Sequence, residues 1–224
     1  MRSATLVLAA LLLAGTTAPR ASSFPFVGIG ARYGTLAMDD VNDRIRDIDE
    51  SVEGSFDEII HGRGLSAELG MVTSPGTAIV FRWERIFART KAADAAGSIA
   101  FDMGAHAITG SLEIRRSPDG RALFGAGLGG GFVYSAGEAD LNGLGIQGIS
   151  GETRGAGPVA HFYVYGEFPL TGGIFLVPSA WYRYARVNRL EIGGRDALAV
   201  DGTALSVDYG GVSIAASLRY YFAD

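Results

Sequence analysis

The sequence predicts an all-β fold: an eight-stranded, antiparallel, up-and-down transmembrane β-barrel with one amphipathic helix in its first long loop. Three observations predict it. The last strand alternates strictly between apolar and polar residues. The mean hydropathy is high, at +0.21, although apolar and polar residues are interleaved along most of the chain. The connections between predicted strands alternate between short and long, as they do in membrane barrels.

The last strand is predicted over 204–222, and its alternation is unbroken from Gly210 onward. Its apolar face carries Val212, Ile214, Ala216, Leu218, Tyr220 and Phe222. Its small or polar face carries Gly211, Ser213, Ala215, Ser217, Arg219 and Tyr221. Successive side chains of a strand point to opposite faces. In a transmembrane barrel the apolar face meets lipid and the other face lines the lumen.

The composition suits a single domain without transmembrane helices. A chain of 224 residues matches the size of single-domain barrels. No uncharged apolar run of about 18 residues occurs beyond the N-terminus. The absence of Cys excludes a lipid-anchored cysteine and a disulfide framework. A net charge of −5 gives no basic surface for nucleic acid.

Residues 1–23 are predicted to be a secretory signal peptide, and residues 24–224 the barrel domain. Arg2 supplies the positive start, an apolar stretch follows, and small residues precede the expected cleavage after Ser23. Cleavage after Ala18 is the alternative. Removal of residues 1–23 takes the net charge from −5 to −7. An uncleaved anchor helix is disfavoured because about 11 apolar residues are too few to span a bilayer. We therefore expect Sec-dependent export to the outer membrane of a Gram-negative cell envelope.

Eight strands are predicted, each of the length that a tilted membrane strand needs. They cover 26–36, 65–73, 77–89, 103–116, 121–135, 156–169, 174–187 and 204–222. Pro and Gly mark short turns at 74–76, 117–120 and 171–173. The long connections cover 37–64, 90–102, 136–155 and 188–203, so both chain ends lie on the short-turn side. Pro178 lacks a donor for the β-ladder and predicts a bulge, and Arg85 is expected at the membrane interface.

Charged residues alternate onto the predicted inward face. They are Arg32, Arg82, Arg183 and Arg219, with Glu68, Glu84, Glu113 and Glu167. An eight-stranded barrel is just wide enough for side chains to fill, and buried charges must be paired. The sequence therefore predicts a solid, ion-paired lumen, with Glu68 and Arg82 as the preferred pair. A gated ion path remains the alternative. Inward glycines on the fifth strand are expected to leave room for Tyr163, Tyr165 and Trp181 across the lumen.

Helical spacing of apolar residues appears in the first long connection, over about 38–54. The apolar positions are Met38, Val41, Ile45, Ile48 and Val52, Asp39 or Asp40 is the expected cap, and Gly54 is the expected stop. Nine acidic residues stand against Arg44 and Arg46 between positions 39 and 58. An amphipathic helix laid over the barrel mouth is favoured. A membrane-surface helix and a divalent-ion site remain alternatives, although basic polar faces are usual for the former and EF-hand spacing is absent.

Enzyme motifs are weak. A catalytic triad of His161, Ser179 and Glu167 is conceivable, but no family motif surrounds any of these residues. A lumen histidine with a structural hydrogen bond is the favoured interpretation. The glycine-rich run 125–129 lies within a strand and opens no helix, so it does not indicate a nucleotide loop.

From about Phe26 to Phe222 the chain resembles the small outer-membrane β-barrel family of OmpA-, OmpX- and OmpW-like proteins. The resemblance rests on the C-terminal signature Ile214, Ala216, Leu218, Tyr220 and Phe222, from which this chain departs by adding Ala223 and Asp224. It implies that the barrel-assembly machinery reads this signature. We also expect contact with outer-membrane lipid and lipopolysaccharide, a monomeric state, and no cofactor or metal.

The expected function is a non-enzymatic, porin-like barrel with a structural or surface-interaction role in the envelope. A narrow conduit or binding site for small apolar molecules is the alternative that the OmpW-like resemblance suggests. A lipid-modifying enzyme is a weaker alternative.

Overall fold

The computed structural model describes residues 24–49, 57–74, 76–94, 97–117, 122–140, 150–199 and 201–222. The predicted signal peptide lies outside these ranges. Within them, no helix is both long enough and apolar enough to cross a membrane.

Eight long antiparallel strands form a closed ring, which confirms the predicted fold class. They are β1 (Phe24–Thr35), β2 (His61–Ser74), β3 (Thr77–Phe87), β4 (Ala105–Arg116), β5 (Leu123–Ser135), β6 (Ser150–Thr171), β7 (Ile174–Val187) and β8 (Gly211–Tyr221). Each strand pairs with the next, and β8 pairs with β1 from Phe26↔Tyr221 to Gly34↔Ser213. The amide of Phe222 donates to the carbonyl of Pro25 at 3.0 Å. The first and last strands therefore close the barrel at the short-turn end.

Large apolar side chains form a belt around the outside of the ring. Leu128, Phe132 and Ile214 are 68%, 73% and 66% exposed. The five outward residues of β8 and Phe222 directly after it are exposed as well, while Ser213 and Arg219 on its inward face are buried. Leaving one large apolar side chain in water rather than burying it costs about 1.5–3 kcal/mol. A continuous belt of such residues is stable only where the surrounding medium is lipid.

Several strands begin at other residues than predicted. β2 begins at His61 and β6 at Ser150, because both strands continue above the belt. β8 begins at Gly211 rather than at 204. The residues before it belong to the last loop, where Ala204 bridges to Leu198 and Val207–Asp208 pairs with the end of β7.

The bulge predicted at Pro178 is wrong. Pro178 is exposed and opposite Ala216 of β8, and the register of β7 with β6 is the same before and after it. The register shifts instead between Ile174 and Phe175. That position follows the turn at Gly172 and Gly173, whose φ values of 52° and 80° are in the left-handed region. The irregularity is therefore placed by the turn rather than by the proline.

The long connections carry their own secondary structure. The first contains helix α1 (Asp39–Asp49). The expected end of this helix, with Val52 and Gly54, lies outside the described residues, because residues 50–56 are not described. Neither Asp39 nor Asp40 precedes the helix as a cap, since both lie in its first turn. The others contain short strands: Arg89–Asp94, Gly97–Asp102, Glu138–Asp140, Glu191–Ile192, Arg195–Asp196 and Val207–Asp208. The described parts of the long connections therefore contain regular secondary structure.

Candidate functional site

Arg219 is the centre of the charged lumen on the short-turn side of the barrel. Its Nε donates to Glu68 Oε1 at 2.5 Å, its Nη2 to Glu113 Oε1 at 2.7 Å, and its Nη1 to Glu167 Oε1 at 2.5 Å. Its side chain is only 2% exposed. Charge-assisted hydrogen bonds of this kind are about twice as strong as neutral ones. One guanidinium therefore ties three strands together through their carboxylates.

Each of the three carboxylates has further donors. Arg82 Nη2 donates to Glu68 Oε2 at 2.6 Å, and Arg115 Nη2 donates to Glu167 Oε2 at 2.9 Å. Glu113 accepts from the hydroxyls of Tyr163 at 2.7 Å and Tyr165 at 2.8 Å, and Glu167 accepts from Tyr221 at 2.8 Å. Buried carboxylates tolerate burial only when their acceptor positions are filled. We call Arg82, Arg115, Arg219, Glu68, Glu113 and Glu167 the lower charge group.

A second group lies nearer the loops. Glu84 pairs with Arg32 at 3.1 Å and with Arg183 at 2.9 Å. Arg183 Nε also donates to the carbonyl of Tyr209 at 3.0 Å, which connects the lumen to the last loop. We call Arg32, Arg183 and Glu84 the upper charge group.

An aromatic stack separates the two groups. The rings of Tyr163 and Trp181 are parallel within 14°, with centroids 3.8 Å apart. The guanidinium carbons of Arg32 and Arg82 lie 4.0 Å and 4.5 Å from the Trp181 ring centroid. Cations close to an indole face are attracted by its quadrupole. Trp181 therefore holds one arginine from each charge group.

The structure places all eight charged residues that the sequence assigned to the lumen inside the barrel, in these two groups. Glu68 and Arg82 are direct partners across the β2–β3 hairpin. The sequence analysis missed Arg115, which is buried and paired with Glu167. Its position two residues after Glu113 on the same strand was the available signal. The expected balance of four positive and four negative charges is therefore corrected to five arginines and four glutamates among the described residues.

Glycines of β5 leave room for aromatic side chains of the adjacent strand, and not for side chains across the lumen as expected. A Cβ on Gly127 would lie 2.2 Å from Tyr163 Cζ, and one on Gly125 would lie 2.5 Å from Tyr165 Cζ. These glycines are β-ladder neighbours of the two tyrosines on the adjacent strand β6, not residues across the lumen. The tyrosine side chains therefore lie flat over β5.

The structure does not bring His161, Ser179 and Glu167 together as a catalytic triad. His161 Nε2 lies 2.8 Å from Ser111 Oγ, and both residues are buried. Ser179 accepts a hydrogen bond from Trp181 Nε1 at 2.8 Å. Glu167 is held by Arg115, Arg219 and Tyr221. His161 is therefore a lumen residue with a hydroxyl partner.

Little free space remains among the side chains of the charge groups. The two cavities found there measure about 20 Å³, beside Arg82, and about 10 Å³, beside Arg183. A single water needs about 10–15 Å³. At this level the described residues fill the barrel.

An apolar plug fills the loop-end half of the barrel above the upper charge group. Inward residues of the strands meet residues of the first and last loops in one buried cluster: Leu36, Met38, Val41, Ile45, Ile59, Ile86, Ala88, Met103, Ala105, Ala107, Val133, Val159, Ala185, Val187, Leu190, Ile192, Ala197, Leu205, Val207 and Tyr209. We call this cluster the apolar plug. Among the described residues, this cluster packs loop side chains against the inward side chains at the loop end of the strands.

Met38, directly before helix α1, and Val41 and Ile45 within it belong to the plug. The apolar side of the helix therefore faces the barrel mouth, as predicted, and not a membrane surface. Asn42 fixes the helix, because its amide donates to the carbonyl of Ile59 at 3.3 Å and accepts from the Ile59 amide at 2.8 Å. Asp40 accepts from Ser206 of the last loop. The two loops that form the plug are thus joined to each other.

A groove of about 720 Å³, lined in part by charged side chains, lies on the outer face of the loop end. Tyr134, Glu152, Arg154, Arg189 and Glu191 line it. Arg154 Nη2 donates to Glu152 at 2.9 Å. The hydrogen bonds from Arg189 hold the pKa of the exposed Asp196 carboxyl below its usual range. Exposed pairs of this kind contribute little to stability, so these arginines are free to exchange partners.

Comparison with known proteins finds the same fold in solved structures. The outer membrane protein OprG from Pseudomonas aeruginosa matches with a TM-score of 0.56 and 14% identity, over 90% of this chain and 96% of that one. Neisserial surface protein A matches with a TM-score of 0.51 and 10% identity, over 88% of this chain and 97% of that one. No protein-family profile and no curated protein matches the sequence. Together with the apolar belt, these matches show that the chain has the fold of the small eight-stranded outer-membrane β-barrels.

Proposed function

We propose that this protein is a non-conducting outer-membrane barrel that serves the envelope structurally and binds partners through its loop end. The observation that carries the proposal is the interior, which is filled by two charge groups and by the apolar plug. A barrel filled in this way offers no obvious path to a solute. Its accessible chemistry lies on the outside.

A conduit needs a rearrangement at both levels of the interior. The lower level is held by Arg219 through three carboxylates. Breaking a buried pair by leaving one partner uncompensated costs about 3–5 kcal/mol. The upper level is closed by the joined first and last loops. Opening therefore requires that buried ion pairs and the contacts between the two loops break together.

The groove beside Arg154 and Arg189 is the part of the loop end best suited to a partner. Its volume of about 720 Å³ is in the usual range of ligand pockets. Its walls are strands rather than free coil, because β6 extends to Ser150 and pairs with Glu191–Ile192. Arginines and glutamates alternate along it, with Tyr134 at one side. This arrangement fits a polar partner with hydroxyl and anionic groups, such as a surface glycan.

Lipid contact is part of the same proposal. Arg63 and Tyr33 are exposed on the outer wall near the loop end, where they line a groove with Ala31, Phe87 and Ile214. Arg85 faces the same way and donates to the carbonyl of Ala136 at 2.8 Å. Basic and aromatic side chains at this height suit the phosphates of lipopolysaccharide. The C-terminal signature on the lipid-facing side of β8 is proposed as the assembly signal.

Planar bilayers test the sealed interior. Refolded protein is added to a bilayer beside a trimeric porin as the positive control. We expect no discrete openings from this protein. Regular openings at low voltage would contradict the sealed barrel.

Glycan binding tests the groove. Folded protein in detergent is applied to an array of bacterial and animal glycans, together with an Arg154→Ala/Arg189→Ala variant. Arg195→Ala is the matched control, since Arg195 is exposed in the same loop but does not line the groove. We expect the double variant to lose binding that the control keeps. Equal binding by all three proteins would contradict a role for the groove.

A further inference from the structure

The charges of the lumen do not cancel. The lower charge group is neutral, with three arginines against three glutamates. The upper charge group has Arg32 and Arg183 against Glu84 alone. Their side chains are no more than 8% exposed. A buried net positive charge is costly unless an anion compensates for it.

A small cavity lies where this excess charge meets the lower group. It measures about 20 Å³ and is lined by Arg32, Arg82, Ser66, Ser179 and Ser217, among others. A space of about 10–15 Å³ suffices for one water. The cavity therefore accepts one water-sized or slightly larger particle and excludes polyatomic anions.

One hydrogen-bond donor of a residue that lines the cavity lacks a partner. Arg82 is buried, and among the described residues its Nη1 is one of four buried side-chain atoms without a hydrogen bond. The other three belong to Thr90, His106 and Arg115, none of which lines the cavity. Arg82 uses its Nη2 for Glu68. A buried donor of this kind indicates a bound particle that accepts hydrogen bonds.

The surroundings favour an anion over water. Arg32 and Arg82 both lie against the Trp181 ring, so two cations face one region. The Ser179 hydroxyl accepts from Trp181, which leaves its own proton free to donate. Glu68, the carboxylate on the wall, is already held by Arg82 and Arg219. Water satisfies Arg82 but leaves the excess charge in place.

We propose that this cavity binds a single halide ion, chloride under cellular conditions, with Arg82 Nη1 as the principal donor and Arg32 as the charge that the ion balances. The ion completes the lumen as a structural component. The halide site is independent of glycan binding at the loop end.

Bromide locates the ion directly. Crystals of the full chain in detergent are grown with sodium bromide in place of chloride, and data are collected at the bromine absorption edge. We expect an anomalous peak within hydrogen-bond range of Arg82 Nη1. Bromide peaks only on the outside of the protein, with ordinary water density in the cavity, would overturn the proposal.

Halide-dependent stability gives a second, independent measurement. The temperature at which half of the protein loses compact gel mobility is measured while sodium chloride replaces sodium gluconate at constant ionic strength. Gluconate is too large for the cavity. Because a ligand of the folded state stabilises it by mass action, we expect a rise of about 3 °C or more at saturating chloride.

Arg32→Gln removes the excess charge while Glu84 keeps Arg183 as a partner. We expect this variant to lose most of the chloride response. Arg63→Gln is the control, because Arg63 is exposed on the outer wall of β2. An equal response in Arg32→Gln, Arg63→Gln and the unchanged protein would contradict the site. If Arg32→Gln does not fold, the bromide experiment on the unchanged chain still decides.

Discussion

The short-turn half of the barrel interior and its loop-end half are lined by the same eight strands but filled by different chemistry. Below, inward residues such as Glu68, Glu113 and Arg219 are charged and bond to one another. Above, inward residues such as Ile86 and Val133 are apolar and pack against loop residues. The lower half is satisfied by the strands alone, whereas the upper half needs the loops. The comparison predicts that damage below weakens the whole ring and damage above loosens only the mouth.

Arg219→Leu tests the lower half and should have the largest effect. The substitution leaves Glu113 with two tyrosine hydroxyls and no cationic partner among the described residues. Uncompensated buried charges cost about 3–5 kcal/mol. We expect a matching drop in the free energy of unfolding in urea, followed by gel mobility. Arg195→Leu, at an exposed loop position, is the control. A loss below about 1 kcal/mol would show that the lower group is not the main constraint.

Ile45→Ala tests the upper half. Ile45 is fully buried in the apolar plug, and removing a buried isoleucine side chain to Ala costs about 2–5 kcal/mol at its site. Because α1 belongs to a loop, we expect faster amide exchange and proteolysis in the first and last loops, with the urea midpoint of the barrel little changed. Arg46→Ala, on the exposed side of the same helix, is the control. An equal loss of stability in barrel and loops would contradict the division into two halves.

Gly127→Ala tests whether Tyr163, in the lower half, needs the space that Gly127 leaves. The new Cβ would lie 2.2 Å from Tyr163 Cζ, so the ring that donates to Glu113 must move. Overpacking of this kind costs about 1–3 kcal/mol. Gly110→Ala is a matched control on β4, since its Cβ would come no closer than 3.6 Å to Phe81. Urea unfolding of both variants measures the difference, and equal stabilities would show that Tyr163 has another place to go.

Asp196→Asn should have the smallest effect. Asp196 accepts two hydrogen bonds from Arg189 at 2.7 Å and 2.6 Å, but both residues are exposed. We expect no measurable change in barrel stability, because exposed pairs are screened. Thermal unfolding before and after the substitution checks this. A clear loss would mean that the last loop stabilises the ring as well as the mouth.

Period-two alternation was enough to predict the ring, the outward belt and the inward position of eight charged residues. All three follow from the rule that successive side chains of a strand point to opposite faces. It was not enough to predict how charges on distant strands combine. Arg219 reaches Glu113 and Glu167 across the lumen, which depends on barrel closure and stagger. The helix over the mouth was predicted, but the part that the last loop takes in the plug escaped prediction for the same reason. Val207 and Tyr209 look like the start of β8 in sequence, but they pack with α1 residues over the mouth.

The pairing of β1 with β8 has a consequence for how the gene can be arranged. Because Phe222 and Pro25 are hydrogen-bonded neighbours, a short linker between them leaves the ring intact. The chain can then be opened at another tight turn, such as the one between β2 and β3. A circular permutant of this kind keeps every β-ladder while moving Phe222 away from the end of the polypeptide. Its behaviour in lipid and in cells separates what the ring needs in order to form from what the cell needs in order to insert it.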